Sequence, residues 1–499
     1  MPARKRTERV VVVGAGLGGI SAAISLATEG FPVALYEKNP RIGGKLNVAE
    51  RDGYRFDLGP SIIILPQLFR RLFEHAGRRM EDYVEFERLE PQWRSFWEDG
   101  TVLDLFSDTA EMAAELAKLP DGGAGYFEFL EYSRRLWEFA DEAYLERGAD
   151  GPLEVFRGKN PLKVLRTVDA FATMDEGVGR YVREPHLRNM LDFFVKYIGS
   201  SSFDAPAMLN LLPWSQLAFG LFYVRGGMYA LARAYERLLR ELGVEIRCDA
   251  EVVAITHGAG DGRRVDGVRL ADGTHVPADI VVSNMEVVPA YRRLLGDDSL
   301  LVKTYEKVFE PAASGIVVHL GLDTTYPQLR HHNFFFARDQ RHHFDQIHRQ
   351  KVLPDDPTIY LVCPTRTDPA LAPPGRDLIK ILPHIPYRQD PPFTAADYTA
   401  LKERVYDKLE RMGLRDLRRH IVVEDMLTPD DLERMYYSTK GAIYGVVSHR
   451  LKNYALKAPK RSPRYRGLYF VGGSVNPGGG TCMVVLCGQK VRDLVLRDL

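Results

Sequence analysis

The feature that most constrains this chain is a glycine-rich turn between a short apolar strand and a helix near the N-terminus. Val10–Val13 is a β-branched run typical of a buried parallel strand, and Gly14–Gly19 follows it with the spacing GxGxxG. Ile20–Thr28 then predicts a helix, and a second strand ends at Glu37, roughly 20 residues beyond the last glycine. This order predicts a Rossmann-like unit that binds a dinucleotide.

Each residue type in this unit has a mechanical reason. Gly14 permits the tight turn, Gly16 lets the backbone approach a pyrophosphate, and Gly19 lets the helix pack closely on the strand. The unpaired N–H groups at the helix N-terminus attract phosphate charge. Glu37 accepts hydrogen bonds from ribose hydroxyls, and its charge repels a 2′-phosphate.

Two later segments favour FAD over NAD. Lys38–Lys45 contains a glycine pair and ends on a cation, which suits a loop that returns over a long cofactor, and Tyr54–Ser61 predicts a short strand and turn. Near the C-terminus, strand 467–471, the glycine-rich loop 472–480 and a helical pattern over 482–496 form a second strand–loop–helix unit. The positive N-terminal end of that helix, aimed at a flavin, would stabilise charge at its N1–C2=O edge.

The predicted fold class is α/β: a Rossmann-like FAD-binding domain, made of a parallel sheet plus a β-meander, with an inserted α+β substrate domain. Alternating segments at 244–248, 250–255, 265–270 and 280–283 supply further strands, with a hairpin turn at 271–273. The FAD domain is therefore expected to be discontinuous. Its parts are predicted at 1–75, 225–300 and 441–499, and the parts of the substrate domain at 76–224 and 301–440.

Composition excludes some classes of function. Lys+Arg and Asp+Glu both number 67, so the formal net charge is zero and nothing favours nucleic-acid binding. The four cysteines are scattered and predict no disulfide framework, which fits a reducing compartment. The basic segment 1–9 lacks the apolar core of a secretion signal, so a cytoplasmic location is expected.

With these motifs in place, the chain resembles the bacterial carotenoid desaturases, the phytoene and diapophytoene desaturase group of the flavin amine oxidase superfamily. The resemblance covers nearly the whole length. It is carried by Val12–Gly19, Glu37–Lys45, Asp57–Ser61, Arg225–Met228, Val252–Ile255, Ser283–Asn284 and Phe470–Gly480.

The resemblance implies noncovalent FAD. It places Glu37 at the adenosine ribose, Gly44 and Lys45 along the cofactor, the backbone of Val252 at the adenine and Asn476–Gly478 beside the flavin ring. The cofactor-contact residues expected are Gly14, Gly16, Leu17, Gly18, Gly19, Glu37, Lys38, Gly44, Lys45, Pro60, Ser61, Val252, Asn284, Gly473, Asn476, Pro477, Gly480 and Thr481.

The reaction implied is desaturation of a long apolar isoprenoid, in which an allylic C–H gives hydride to flavin N5 and a base takes the adjacent proton. Oxygen or a quinone is expected to reoxidise the flavin, because the sequence shows one dinucleotide fingerprint. No spacing singles out the base. Members of the group usually have His before the Pro-Gly, where this chain has Asn476, and Thr481–Met483 also departs from their pattern.

Because of these departures, alternative reactions remain open. The chain could oxidise a terminal methyl of a carotenoid to an aldehyde, or desaturate a hydroxylated end group. An amine oxidase would instead require an aromatic cage near the flavin and polar substrate contacts. A non-enzymatic flavoprotein or membrane scaffold is the alternative from a different class.

An apolar substrate resides in a bilayer, so we expect a protein attached peripherally to the cytoplasmic membrane surface. The charge-free stretch Ala205–Val224 has about the length of a span, but Pro206, Asn210 and Pro213 interrupt it. Its aromatic residues, with Lys196 and Arg225 on either side, favour a shallow dip of this stretch or of a neighbouring helix. Core packing explains the same residues equally well.

Two further patterns are expected to carry no chemistry. His331, His332, His342, His343 and His348 show no recognised ligand spacing, so no metal is predicted, and we expect solvated or substrate-domain histidines. His331 and His332 are adjacent, and in a strand they would point to opposite faces. The surroundings of Cys482 do not match those of a covalent flavin link.

Overall fold

A computed structural model of the chain describes residues 6–151, 154, 160–258 and 262–499. The N-terminal strand lies at the centre of a five-stranded sheet in which every pair is parallel. Across the sheet the strands run Leu468–Phe470, Ile280–Ser283, Val10–Val13, Val33–Tyr36 and Glu245–Arg247. The Rossmann-like fold is confirmed, and its strands come from three separate stretches of sequence. The five domain boundaries remain predictions.

Two helices pack against each other beside this sheet, the first helix, Leu17–Thr28, and the last helix, Thr481–Asp498. The Ser21 hydroxyl donates to the Val485 carbonyl over 2.6 Å. A Cβ on Gly488 would lie 2.5 Å from the Ala22 nitrogen, so only glycine allows this approach. The first helix begins at Leu17 rather than at Ile20 as predicted, because it follows the extended backbone of Gly16 directly.

The predicted meander is present as the antiparallel strands Val252–His257, Val265–Leu270 and His275–Pro277. Its predicted hairpin turn joins the last two strands, and Gly273 supplies a left-handed residue with a φ of 89°. The inserted region contains a larger, eight-stranded sheet. Its strands run Ile421–Leu427, Val317–Leu322, Leu378–Ile385, Ile359–Val362, His332–Phe335, Trp93–Phe96 and Val102–Leu105, with Ser314–Gly315 beside Leu378–Ile385.

Both faces of the large sheet are covered by apolar side chains. Phe334 contacts Trp93 on one face, with ring centroids 5.2 Å apart, and Phe335 stacks on Phe96 on the other face at 4.6 Å. This is the period-two alternation of a strand that is buried on both sides. The other strand pairs are Val48–Arg51 with Tyr54–Asp57 and Phe86–Arg88 with Phe222–Val224.

Helices occupy much of the remaining chain. The α-helices of six or more residues are Leu17–Thr28, Pro66–His75, Thr109–Leu116, Tyr126–Ala140, Pro161–Thr167, Met174–Gly179, Pro185–Asp192, Leu211–Phe219, Tyr229–Glu241, Leu300–Val308, Gln340–Asp345, Ala395–Arg411, Pro429–Tyr436 and Thr481–Asp498.

The charge-free stretch 205–224 is folded into the protein. It contains the helix Leu211–Phe219 and the strand Phe222–Val224, in which Tyr223 is buried. Trp214 and Phe219 are half-buried against the core, and Phe219 contacts Trp137 with ring centroids 5.2 Å apart. These side chains are thus engaged in core packing. Among the described residues, no helix has the length and apolar character to cross a membrane.

Candidate active site

A cavity of about 490 Å³ lies where the parallel sheet meets the inserted region, within the size range of small-molecule sites. Of the eighteen cofactor contacts predicted from sequence, all except Gly19 line it. Gly19 lies behind the glycine loop, where an added Cβ would overlap the Gly14 carbonyl oxygen. That is the close packing of helix on strand expected of this residue.

Close backbone approaches shape the end of the cavity at the glycine loop. Gly14 has a φ of 92°, in the left-handed region that favours glycine. A Cβ on Gly16 would lie 2.6 Å from the Asn284 amide nitrogen, and a Cβ on Gly44 would lie 2.8 Å from the Gly16 Cα. No side chain caps the first helix at Gly16. Its free N–H groups and the bare glycine backbone fit a pyrophosphate.

Glu37 is buried and held firmly at the end of its strand. Its Oε2 accepts from the Ala15 backbone N–H over 2.8 Å, which ties it to the glycine loop. Its Oε1 accepts from the backbone N–H of Asn39 at 2.9 Å and from the Asn39 side-chain amide at 2.8 Å. Because a carboxylate has about four acceptor positions, it can still accept from a ribose hydroxyl.

The two predicted cations fasten the loop 38–45 to a later segment. Lys38 Nζ donates to the Arg434 carbonyl over 2.8 Å and lies 3.7 Å from the centre of the Tyr437 ring. Lys45 Nζ donates to the Ile443 carbonyl over 2.8 Å. Burial lowers the pKa of both ammonium groups. They therefore hold segment 434–443 beside the cavity that this segment helps to line.

The C-terminal glycine loop places the N-terminus of the last helix at the cavity, as predicted. Gly480, with a φ of 103°, precedes that helix without a side-chain cap, and Thr481 Oγ1 donates to the Ile62 carbonyl over 3.2 Å. Asn476 stands where the family usually has His, and its side-chain amide forms hydrogen bonds with backbone groups. Its Nδ2 donates to the Asp150 carbonyl at 2.9 Å, and its Oδ1 accepts from the Lys457 N–H at 3.0 Å. The Asn476 amide thus fixes the loop.

Cys482, the one residue considered for a covalent flavin link, is buried. Burial raises the pKa of its thiol to about 12. Since the thiolate is the nucleophilic form of cysteine, this side chain is unreactive near neutral pH. The environment of Cys482 accords with noncovalent cofactor binding.

Sequence reasoning missed a group of polar side chains in the part of the cavity formed by the inserted region. They are Lys196, Tyr197, Tyr360, Lys380, His384 and Tyr444. Tyr360 Oη lies 2.9 Å from His332 Nδ1, and Tyr444 Oη lies 2.9 Å from His384 Nε2. These residues are separated in sequence and belong to no motif, so only the folded chain brings them together.

The carboxylates lining the cavity, within the described residues, are Glu37, Glu251 and Glu286. Each already accepts hydrogen bonds from the protein: Glu251 from the Tyr437 hydroxyl at 2.6 Å, and Glu286 from Thr439. The ionisable groups among the tyrosines are instead lysines and histidines. An ammonium substrate would therefore find no free negative charge at that end.

His331, His332 and His343 are buried in the inserted region, one of the two environments expected for them, and burial lowers their pKa, to about 3 for His331 and His343. The rings of His331 and His332 lie 4.5 Å apart, and the expectation of opposite faces applied only to two residues within one strand. The strand begins only at His332, and its alternation does not reach His331. No group of three or more metal-ligating side chains occurs in the described part of the chain.

Glu37→Ala tests the ribose contact. We expect FAD affinity to fall by about 1–3 kcal/mol, because the Ala15 and Asn39 donors and the ribose hydroxyls lose their acceptor. Equilibrium dialysis of FAD measures the effect. Glu37→Gln, which keeps one acceptor oxygen, should lie between wild type and Glu37→Ala, and unchanged FAD affinity in Glu37→Ala would contradict the assignment.

The family profile described as flavin containing amine oxidoreductase matches residues 17–490. A 4,4'-diapolycopene oxygenase from Methylomonas sp is 53% identical over 494 residues, covering 99% of each chain. A 4,4'-diaponeurosporene oxygenase from Staphylococcus haemolyticus is 49% identical and covers 98% of this chain and 97% of the relative. Among solved structures, an oxidoreductase from Methanosarcina mazei superposes with a TM-score of 0.63 at 16% identity, covering 97% and 100% of the two chains.

These findings confirm the resemblance, the oxidoreductase class and FAD as the cofactor. The glycine loop 14–19, the buried Glu37 carboxylate and the two helix N-termini without side-chain caps fit that cofactor. The chain belongs to the flavin-containing amine oxidoreductase family.

Proposed function

We propose that this protein oxidises a terminal methyl group of a long, apolar carotenoid to an aldehyde. Two similar proteins of nearly equal length are named as oxygenases of 4,4'-diapolycopene and 4,4'-diaponeurosporene. The observation that carries the proposal is the gathering of the Tyr197, Tyr360 and Tyr444 side chains at one end of a largely apolar cavity. A hydrocarbon end makes no use of hydroxyl donors, whereas an alcohol or aldehyde oxygen does.

The walls of the cavity suit the hydrocarbon chain. Trp137, Leu209, Leu211, Leu212 and Leu382 line it, and apolar contact contributes about 25 cal/mol per Å² of buried surface. Bound FAD supplies the two-electron oxidant. The tyrosine hydroxyls would hold the oxygen of the alcohol, and the apolar walls would exclude bulk water from the oxidised carbon.

The reaction balances in two steps. R–CH₃ and water give R–CH₂OH with the loss of two electrons and two protons, and R–CH₂OH gives R–CHO with the same loss. The electrons leave through FAD to oxygen or a quinone. Desaturation, the reaction first expected from sequence, would need the same cofactor and the same apolar cavity but no added oxygen. Amine oxidation is disfavoured because, among the described residues, the carboxylates that line the cavity are already hydrogen-bonded and none lies among the tyrosines to receive an ammonium substrate.

Product analysis separates these reactions. We expect cells that make diapolycopene and this protein to accumulate an aldehyde that has gained one oxygen and lost two hydrogens at a chain end, detected by mass spectrometry. Parallel cells that make phytoene or diapophytoene test desaturation. Growth in ¹⁸O-labelled water or under ¹⁸O₂ identifies the oxygen source. New double bonds without oxygen would overturn the proposal.

We also propose peripheral attachment to an anionic membrane surface, through a patch other than the stretch 205–224. Leu162, Phe171 and Leu451 are 73–80% exposed, in contrast to the half-buried Trp214. The Arg450 side chain donates to the Phe171 carbonyl over 2.6 Å, which places Leu451 beside Phe171. We call Leu162, Phe171 and Leu451 the apolar patch.

The surroundings of the apolar patch suit a lipid partner. Lys163 and Arg166 are exposed on the helix that precedes Phe171 and complement anionic headgroups. Tyr144, Met208 and Tyr454 pack beneath this region, and the same three residues line the cavity. A bilayer at the patch would therefore hold the substrate one side-chain layer from the site.

Flotation with phosphatidylglycerol vesicles tests this attachment. We expect wild type to float and Phe171→Ser/Leu451→Ser to lose about tenfold or more in binding, since each apolar side chain contributes roughly 1.5–3 kcal/mol when buried. Val422→Ser, at an exposed apolar residue of the large sheet, is the matched control. Equal flotation of wild type and the double variant, with equal FAD content, would exclude the patch as the anchor.

A further inference from the structure

Beside the main cavity lies a second cavity of about 10 Å³, near the least volume that holds one water. Its lining includes Asp57, Ser61, Tyr223, His319, His331 and Lys380. Ser61 and Lys380 also line the main cavity, so they form the wall between the two. We call the six residues the polar seam. It lies between the turn 57–61 and the large sheet.

Two ring nitrogens of the polar seam lack a partner within the protein. His319 Nδ1 and His331 Nε2 are shielded from solvent, and neither makes a hydrogen bond. Their other ring nitrogens are held, His319 Nε2 at 3.3 Å from the Asp57 carbonyl and His331 Nδ1 at 2.7 Å from Thr367 Oγ1. Leaving buried polar atoms unpaired costs roughly 1–3 kcal/mol each, and a bound water removes that cost.

The polar seam leads from the main cavity toward solvent. At the cavity side, Lys380 Nζ donates to Ser61 Oγ and, over 2.7 Å, to the Gly59 carbonyl. At the far side, His331 meets Thr367, which is half-buried, and the Tyr223 hydroxyl donates to Asp368 over 3.1 Å. Polar groups therefore follow one another from the substrate site to the protein surface.

A second contact joins the polar seam to the tyrosines. Tyr360 Oη lies 2.9 Å from His332 Nδ1, and the rings of His332 and His331 are 4.5 Å apart. Burial lowers the pKa of Lys380 to about 8, so that a fraction of its amine is uncharged near neutral pH and can accept a proton.

We propose that one ordered water fills the second cavity and that the polar seam carries the proton released by substrate oxidation from Lys380 to solvent at Thr367. The inference rests on the oxidation proposed above, whichever carbon is oxidised. With FAD bound as the oxidant, the substrate C–H bond would lose its hydrogen together with the electron pair. The neutral amine of Lys380 accepts the proton from the adjacent O–H or C–H bond. As Lys380 passes a proton through the water to His331 Nε2, His331 gives its Nδ1 proton to Thr367 in the same step, so the imidazolium, which burial disfavours, does not accumulate. The neutral ring then flips to turn its protonated nitrogen back toward Thr367, and both Lys380 and His331 are restored.

The first experiment looks for the water. A crystal structure of the FAD-bound protein should show one water within hydrogen-bonding distance of His319 Nδ1 and His331 Nε2. It should be absent in His331→Phe. This readout needs no substrate, so it is independent of the product formed. A dry cavity in the wild-type protein would overturn the proposal.

The second experiment follows proton release with an indicator dye in weak buffer during a single turnover. We expect His331→Phe to slow release about tenfold or more, with a larger solvent deuterium effect. Thr367→Val, a conservative change at the exit, should slow release by a smaller factor. His343→Phe is the matched control, because it removes another buried histidine away from the polar seam.

The outcomes are separable. Unchanged proton release in His331→Phe and Thr367→Val, with full FAD content, would overturn the proposal, as would equal slowing in the His343→Phe control. If product analysis instead reveals a desaturated hydrocarbon, the methyl oxidation fails. The proton comparison is then carried out with that substrate.

Discussion

Protein carrying Gly16→Val should purify without FAD. The added Cβ would lie 2.6 Å from the Asn284 amide nitrogen, and the rest of the valine would fill the space into which a pyrophosphate must fit. The Gly16 backbone itself lies outside the left-handed region, so the substitution acts on the ligand space more than on backbone conformation. FAD per polypeptide, measured by absorbance after acid release, reports the effect.

Gly151→Val is the matched control, because a Cβ there would meet no atom within 4 Å. Its FAD content should equal that of wild type. Circular dichroism establishes that Gly16→Val has folded. Wild-type FAD content in a folded Gly16→Val protein would refute the pyrophosphate assignment, and FAD retained on the acid-precipitated wild-type pellet would refute noncovalent binding.

Gly488→Val should lower both the melting temperature and the FAD content, although Gly488 is absent from the cavity lining. Its Cβ would lie 2.5 Å from the Ala22 nitrogen and 2.6 Å from the Ser21 Cβ, in the contact between the first and last helices. Overpacking of this kind costs about 1–3 kcal/mol. Because both helices present their N-termini to the cavity, separating them also displaces the donors that face the cofactor.

Arg497→Val places the same β-branched side chain on the exposed end of the last helix and should leave both quantities near wild type. Thermal unfolding and FAD release are measured on the same samples. A Gly488→Val protein with an unchanged melting temperature would show that the two helices can part without loss, contrary to the packing described.

The elements that could be predicted from the sequence are those whose signals are local. The glycine loop, the position of Glu37 and the C-terminal glycine loop each lie within one strand–turn–helix unit, where the spacing of neighbours determines the geometry. Glycine spacing also has a steric meaning that does not depend on the rest of the fold, as the overlap expected at Gly19 shows.

The polar end of the cavity had no such signal. Tyr360 and Lys380 lie on different strands of the large sheet, and Lys196 lies in the earlier of the two stretches of sequence that form the inserted region. Their meeting depends on strand register, which no short motif encodes. The burial of His331 likewise depends on the turn 57–61, which lines the second cavity with it, so the sequence pattern alone left open whether this histidine is solvated or buried in the substrate domain.

The order of strands in the parallel sheet has a consequence for synthesis on the ribosome. Val10–Val13 needs Ile280–Ser283 as one neighbour, and that strand in turn needs Leu468–Phe470. The first helix gains its partner only after the intervening residues 29–480 have been synthesised and the last helix has emerged. A nascent chain therefore carries a half-built cofactor cradle with an open sheet edge and an uncovered helix face for most of its synthesis. The complete cradle for FAD therefore exists only after the last helix has joined the first, and until then the open edge is exposed to pairing with other chains.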